Sequence, residues 1–261
     1  MSPLELSYPR PDIAVVTLNR PEKLNALSYG LVEILHATID EISANNDCRV
    51  VVLTGAGRGF CSGLDLTDAD PSGAGGGLEF PRSGMRWQER IADITARIHR
   101  LRQPVIAAVN GPAYGGGFGI ALACDIRLAS ESARFCTQFI KLGLGGCDIG
   151  VSYTLPRIIG AGPAFELILT ARVVDADEAL RLGLVTRVSD GSSLVDDAIE
   201  LAETLCGYGK FGLESTKQVL WANLEASSLE SALHVENRSQ ILASTSGELG
   251  AASEAFRHRQ R

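Results

Sequence analysis

Residues 104–117 read Pro104-Val105-Ile106-Ala107-Ala108-Val109-Asn110-Gly111-Pro112-Ala113-Tyr114-Gly115-Gly116-Gly117. Val105–Val109 has the composition of a short strand, and the glycines after it open a small-residue helix. Working outward, the same order recurs. Val50–Thr54 is a β-branched strand ending in the turn Gly55-Ala56-Gly57. It leads into a second glycine-bearing turn, Gly59-Phe60-Cys61-Ser62-Gly63-Leu64-Asp65-Leu66. Ile13–Leu18 and Ile126–Ala129 also read as strands. After the polar turn Asn19-Arg20-Pro21-Glu22-Lys23, the residues Leu31, Ile34, Leu35, Ile39 and Ile42 recur at helical spacing. Strands alternating with helices predict an α/β fold.

Past residue 160 the pattern turns helical. Asp175-Ala176-Asp177-Glu178 has the spacing of a capping box, and Gly183 is placed to stop that helix. Leu194–Cys206, Leu213–Leu224 and Leu229–Leu242 are amphipathic. The chain therefore divides into a core, 1–193, and a C-terminal helical region, 194–261, that packs on its own body or on a neighbouring subunit. Thr67 to Gly84 is glycine-rich and poor in apolar residues, which reads as a mobile loop, either a linker or a lid beside a site.

Composition narrows the function. The 261 residues are 45% hydrophobic and 21% charged, with a net charge of -7. That balance disfavours a nucleic-acid or anionic-membrane surface. No stretch reaches the roughly 20 apolar residues of a membrane span, and the N-terminus lacks a signal peptide's basic and apolar regions, so the expected location is cytoplasmic. The six cysteines form no CxxC pair and no zinc-ligand set, which predicts buried thiols and no metal.

Two glycine-bearing turns, each between a strand and a helix, can present backbone N–H groups to a ligand. If two such amides converge on one carbonyl oxygen they make an oxyanion hole; taken alone, such turns are mostly structural. Neither is a phosphate-binding P-loop, because no Gly-Lys-Ser/Thr follows.

Further stretches carry a resemblance. Asn19-Arg20-Pro21 with Asn25-Ala26-Leu27, Phe60–Leu66, Pro104–Gly111 with Gly115–Gly117, Ala123-Cys124-Asp125-Ile126 and Ala179–Val188 together resemble the crotonase (enoyl-CoA hydratase/isomerase) superfamily, in order and in spacing. The resemblance implies a spiral of ββα repeats with a C-terminal helical trimerisation region, in a homotrimer or a dimer of trimers. It implies an acyl-coenzyme A thioester as substrate, coenzyme A being part of the substrate rather than a separate cofactor. The oxyanion-hole amides map onto Leu64 and Gly116. The coenzyme A contacts fall on Arg20, Lys23, Ala26, Gly63, Asp65 and Leu66, with Arg257 and Arg259 reaching a neighbouring subunit's ligand.

One departure from the family is chemical. Family hydratases use two glutamates, and the matching positions here are Gly119 and Phe139, which neither accept nor donate a proton. A carboxylate remains at Asp148, in a segment that resembles the one holding a lone acid in family isomerases. One carboxylate suffices for a 1,3-proton shift, so the expected activity is double-bond isomerisation of an enoyl-CoA through a thioester enolate. Alternatives are a hydratase with a relocated acid (Glu79, Glu89 or Asp93), a nucleophilic Asp148 with His99 as base, and an acyl-CoA binder without turnover. For Asp148 itself, a turn or helix cap before Ile149 is the competing role.

Overall fold

The computed structural model describes residues 2–67, 79 and 81–250. Six strands form the main sheet: β1 (Leu4–Arg10), β2 (Ile13–Leu18), β3 (Val50–Gly55), β4 (Val105–Val109), β6 (Ile126–Ser130) and β9 (Arg187–Ser189), in the order β1-β2-β3-β4-β6-β9. β1 runs antiparallel to β2, and the other pairings are parallel. A parallel sheet needs cover on both faces, and alternate residues are apolar on each. Ala14, Val16, Val51, Leu53, Val105, Ala107 and Val109 face a core shared with helices α1 (Tyr29–Ala44) and α2 (Arg82–Arg100). Ile13, Val15, Val50, Val52, Ile106, Ala108 and Leu128 face the other way, onto Leu194, Ala198 and Ala202 of a later helix.

A second, smaller sheet contains β5 (Pro112–Tyr114), β7 (Arg134–Cys136) and β8 (Val174–Asp175). Cys61 joins it through a parallel bridge to Ala113. Each winding of the chain thus lays one strand in the large sheet and one short extended segment in the small one. β3 is followed by Cys61, β4 by β5 and helix α3 (Gly116–Ala123), and β6 by β7. This is the spiral α/β architecture expected from the resemblance.

The chain continues through α4 (Val151–Ile159), α5 (Ala161–Thr170), α6 (Ala176–Arg181), α7 (Leu194–Cys206), α8 (Lys210–Asn223) and α9 (Leu229–Thr245). Although α7 lies in the 194–261 region, it is the helix that covers the back of the large sheet. α8 and α9 differ from it. α8 buries only Lys217, and α9 buries no residue at all. Lys217 Nζ lies 2.9 Å from Asp125 Oδ2 and donates to the Gln103 carbonyl at 3.0 Å, so an ion pair holds α8 to the body. Trp221 Nε1 adds a bond to Asp125 Oδ1 at 2.7 Å.

Two sequence expectations need amending. Cys48, Cys61, Cys124 and Cys136 are buried, but Cys147 is exposed and Cys206 half-buried, because both fall outside the apolar runs. The capping box is half formed: Asp175 Oδ1 accepts from the Glu178 amide at 2.8 Å, while the Glu178 carboxylate pairs with Arg172 instead of reaching back.

Candidate active site

Arg20 to Leu27 forms a latch. Pro21–Lys23 is a single 3-10 turn, and Leu24 and Asn25 follow with φ of 49° and 56°. Asparagine tolerates this left-handed backbone better than most residues. The buried Asn25 side chain also ties the latch to the turn at 56–59. Its Oδ1 accepts from the Arg20 amide at 2.8 Å, and its Nδ2 donates to the carbonyls of Ala56 at 3.0 Å and Gly59 at 2.7 Å. Arg20 extends the latch, donating to the Ala26 carbonyl at 2.6 Å and to Asp65 Oδ2 at 2.8 Å. Asp65 also accepts from the Thr67 hydroxyl and amide, at 2.7 Å and 3.0 Å. The Thr67 and Arg20 bonds hold its carboxyl down at about 2.

The latch positions the first turn. The Leu27 amide donates to the Gly63 carbonyl at 2.7 Å, and the Asp65 amide donates to the Leu27 carbonyl at 3.0 Å. Leu64 lies between these two bonds, and its own amide has no acceptor among the described residues. The second turn meets the first directly. A Cβ on Gly63 would stand 2.9 Å from the Tyr114 carbonyl oxygen and 3.4 Å from the Gly116 nitrogen, so no side chain is tolerated there. Gly63 has φ +96° as well, a backbone that glycine takes without strain. Gly116 is the first residue of α3, and its amide is likewise without an acceptor among the described residues. A Cβ on the next residue, Gly117, would collide with the Cys61 carbonyl group, its carbon 2.7 Å away. Two amides without acceptors among the described residues, one at a helix N-terminus, therefore belong to turns in van der Waals contact, a neighbourhood in which both could serve one oxyanion.

Asp148 reaches this region through its neighbour. Its Oδ1 accepts from the Ile149 amide at 2.7 Å and from Gln88 Nε2 on α2, and its carbonyl accepts from the Val151 amide at 2.9 Å. Ile149 has φ +36°, an outlier for a β-branched residue that costs on the order of 1–3 kcal/mol. Its side chain points into α3: a Cβ on Gly119 would lie 2.5 Å from Ile149 Cδ1, and one on Gly116 would lie 3.7 Å from the same atom. Asp148 itself is half-buried, and burial pushes its carboxyl above the ordinary 3.8, against the opposite pull of the Ile149 amide and Gln88. Gly150, not Asp148, is the N-cap of α4. A raised, half-buried carboxylate has the character of a general base, while its bond to the Ile149 amide is equally that of a local turn.

Other candidate positions have other surroundings. The Lys23 ammonium is exposed and stands 3.5 Å from the Thr67 hydroxyl, while Leu66 is 66% exposed and Ala26 is buried. Arg257, Arg259 and most of the glycine-rich stretch lie outside the described residues. Phe139 is buried, its ring 3.5 Å from where a Gly115 Cβ would be, whereas Leu144 is exposed. Of the alternative acids, Asp93 is ion-paired with Arg97 and Arg100, both at 3.0 Å. Glu89 lines a cavity of about 560 Å³ with Tyr29, Glu33, Arg86, Arg90 and Asp93, a charged lining unsuited to an acyl chain. His99 packs against Trp221, ring centroids 4.2 Å apart and the planes tilted by 55°. Gln88 and Ile149 were not singled out as site residues by sequence, because neither residue type marks a bond to a carboxylate or a positive φ.

Among the described residues no helix is long and apolar enough to cross a membrane. A sequence profile of the enoyl-CoA hydratase/isomerase family matches residues 10–256. The chain is 45% identical to a probable enoyl-CoA hydratase of Mycobacterium bovis over 90% of its length and 83% of the relative's. It is 36% identical to the 1,2-epoxyphenylacetyl-CoA isomerase of Escherichia coli, covering 96% of this chain and 94% of that one. Its structure superposes on a probable enoyl-CoA hydratase/isomerase of Mycobacterium abscessus with a TM-score of 0.91 at 41% identity, covering 100% and 97% of the two chains. With a monofunctional enoyl-CoA isomerase of M. smegmatis the TM-score is 0.74 at 39% identity, covering 89% and 99%.

Proposed function

The chain belongs to the enoyl-CoA hydratase/isomerase family, and from that premise we propose that it shifts the double bond of an enoyl-CoA. Asp148 takes a proton from C2 or C4 of the acyl chain. The thioester enolate that forms is held by the amides of Leu64 and Gly116, and Asp148 returns the proton at the other carbon. The observation that carries this reading is the half-buried Asp148, its carboxyl raised by burial, held one residue from the side chain that rests on Gly116 and Gly119. The two positions that would carry hydratase glutamates offer no acid, and Gly119 has no room for one. The similarity to a monofunctional enoyl-CoA isomerase supports the same reading.

The base must be ionised, so isomerisation falls as pH drops through a pKa above 3.8. Asp148→Asn is expected to cut the conversion of 3-hexenoyl-CoA to 2-hexenoyl-CoA by about 100- to 10,000-fold. Conversion near the wild-type rate would refute the assignment. A hydratase is the second reading, favoured by the name of the M. bovis relative. Steady release of 3-hydroxyacyl-CoA from crotonyl-CoA would favour it. For assembly we propose a trimer or dimer of trimers through α8 and α9, whose Leu220, Leu224, Leu229, Ile241 and Leu242 are exposed in the single chain. A monomer by sedimentation would exclude it.

A further inference from the structure

We infer that Ile149 is the specificity-determining residue that keeps water off the enoyl double bond. This rests on the reading of Asp148 as the proton shuttle. The difficulty it resolves is chemical. A carboxylate poised over a conjugated thioester can also activate water. Asp148 would take a proton from a water molecule, the hydroxyl oxygen would bond to C3, and the π electrons would move into the enolate. Asp148 would then return that proton to C2, completing the addition of one water across the double bond with nothing oxidised or reduced. The amides that serve isomerisation serve this reaction equally. The chain therefore needs a device that discriminates by space.

Ile149 has the geometry for it. Its backbone amide holds Asp148 Oδ1 at 2.7 Å, so it is fixed to the base. Its side chain lies over the Gly116–Gly119 face of α3, beside one enolate donor. At Gly119 the packing leaves no space even for a methyl group. Ile149 is 5% exposed. The left-handed backbone at φ +36° is unfavourable for a β-branched side chain, yet it is what aims the side chain at α3 while the amide faces the carboxylate. Asparagine or glycine would adopt that backbone more readily, so the isoleucine stands here against local preference.

The test uses the full-length protein and three variants: Ile149→Ala, Ile149→Gly and Asp148→Asn. Ile149→Gly fits the native backbone, which guards against simple misfolding, and removes four carbons, more than the roughly 30 Å³ share of one water. Each protein is given 2-hexenoyl-CoA in water enriched in oxygen-18, and labelled 3-hydroxyhexanoyl-CoA is measured by mass. Isomerisation of 3-hexenoyl-CoA is followed in parallel. Hydration by Ile149→Gly and Ile149→Ala is expected to rise about 100-fold over wild type, and isomerisation to fall somewhat because Ile149 also holds the base, so the ratio of hydration to isomerisation rises in both variants. The inference is overturned if both variants fold, as judged by circular dichroism, and hydrate no faster than wild type. It is equally overturned if wild type already hydrates as fast as it isomerises. Asp148→Asn separates the two claims: normal isomerisation in that variant ends the shuttle reading, whereas the Ile149 inference is decided by the hydration gain alone.

Discussion

The two halves of the candidate site are built by opposite means. The amide half, residues 20–27 with 55–65 and 111–117, is closed by interlocking bonds: Asn25 to Arg20 and to the 56–59 turn, Arg20 to Asp65, Leu27 to both sides of Leu64. The acid half, residues 143–150, hangs from few. Leu144, Gly145 and Cys147 are exposed, and Asp148 is set by the amide of a strained isoleucine and by one glutamine. The difference teaches where each kind of chemistry belongs. On the proposed function, the backbone donors for the thioester enolate sit where the turns are tightly interlocked, and the proposed proton shuttle sits where fewer bonds hold the chain.

Substitutions in the two halves should therefore separate stability from activity, and they can be ranked by expected effect on stability. The largest belongs to Gly117→Ala, whose new Cβ meets the Cys61 backbone. A loss of about 3 kcal/mol or more is expected, read as a fall of about 6–12 °C in Tm. An unchanged melt would show that the two turns are not rigidly opposed.

Asp65→Ala comes next. It leaves Arg20 without its partner, and a cost of about 2–3 kcal/mol in guanidinium titration is expected, reduced from a fully buried pair because Arg20 retains some exposure. The Asp65 carboxyl is depressed to about 2 in the fold, so its stabilisation is fully present above an unfolded value of 3.8. It is lost as pH falls towards 2, and wild type and variant should converge there.

In the acid half the sign reverses. The Asp148 carboxyl is raised in the fold, so its charged form opposes folding at neutral pH, and that penalty fades as pH falls through the raised value. Asp148→Asn removes the penalty while keeping an oxygen for the Ile149 amide. Stability should hold or rise by up to about 1 kcal/mol as activity collapses. A destabilised variant would give Asp148 a structural role. The smallest effect is expected from Leu66→Ser. This residue is 66% exposed, so stability should change by less than about 0.5 kcal/mol. A several-fold rise in KM for coenzyme A esters, with kcat held, would place Leu66 against the ligand.

Much of the fold was legible because its strands are continuous apolar runs. Ile13–Leu18 and Val105–Val109 match β2 and β4 to the residue, and Leu194–Cys206 matches α7. The small sheet was not, since β5, β7 and β8 have three residues or fewer, too short for any period to show. β1 escaped for another reason: Leu4–Arg10 is a mostly exposed edge strand with little apolar pattern. In the site, Asp148 was legible as an acid in a glycine-rich apolar stretch. Its partner Gln88 was not, because sixty positions of chain separate them and only the winding of the spiral brings them together.

The ionic seam under α8 has a thermal consequence. Apolar surface exposed on unfolding carries a large heat-capacity change, whereas exposed polar surface carries one of opposite sign. α8 fully buries only an ammonium, on a carboxylate, with Leu213 and Trp221 half-buried beside it. Detachment of the tail should therefore show a flatter dependence on temperature than melting of the body. Because dehydrating ions becomes less costly on warming, this junction should weaken less with heat than the oily interior it rests against.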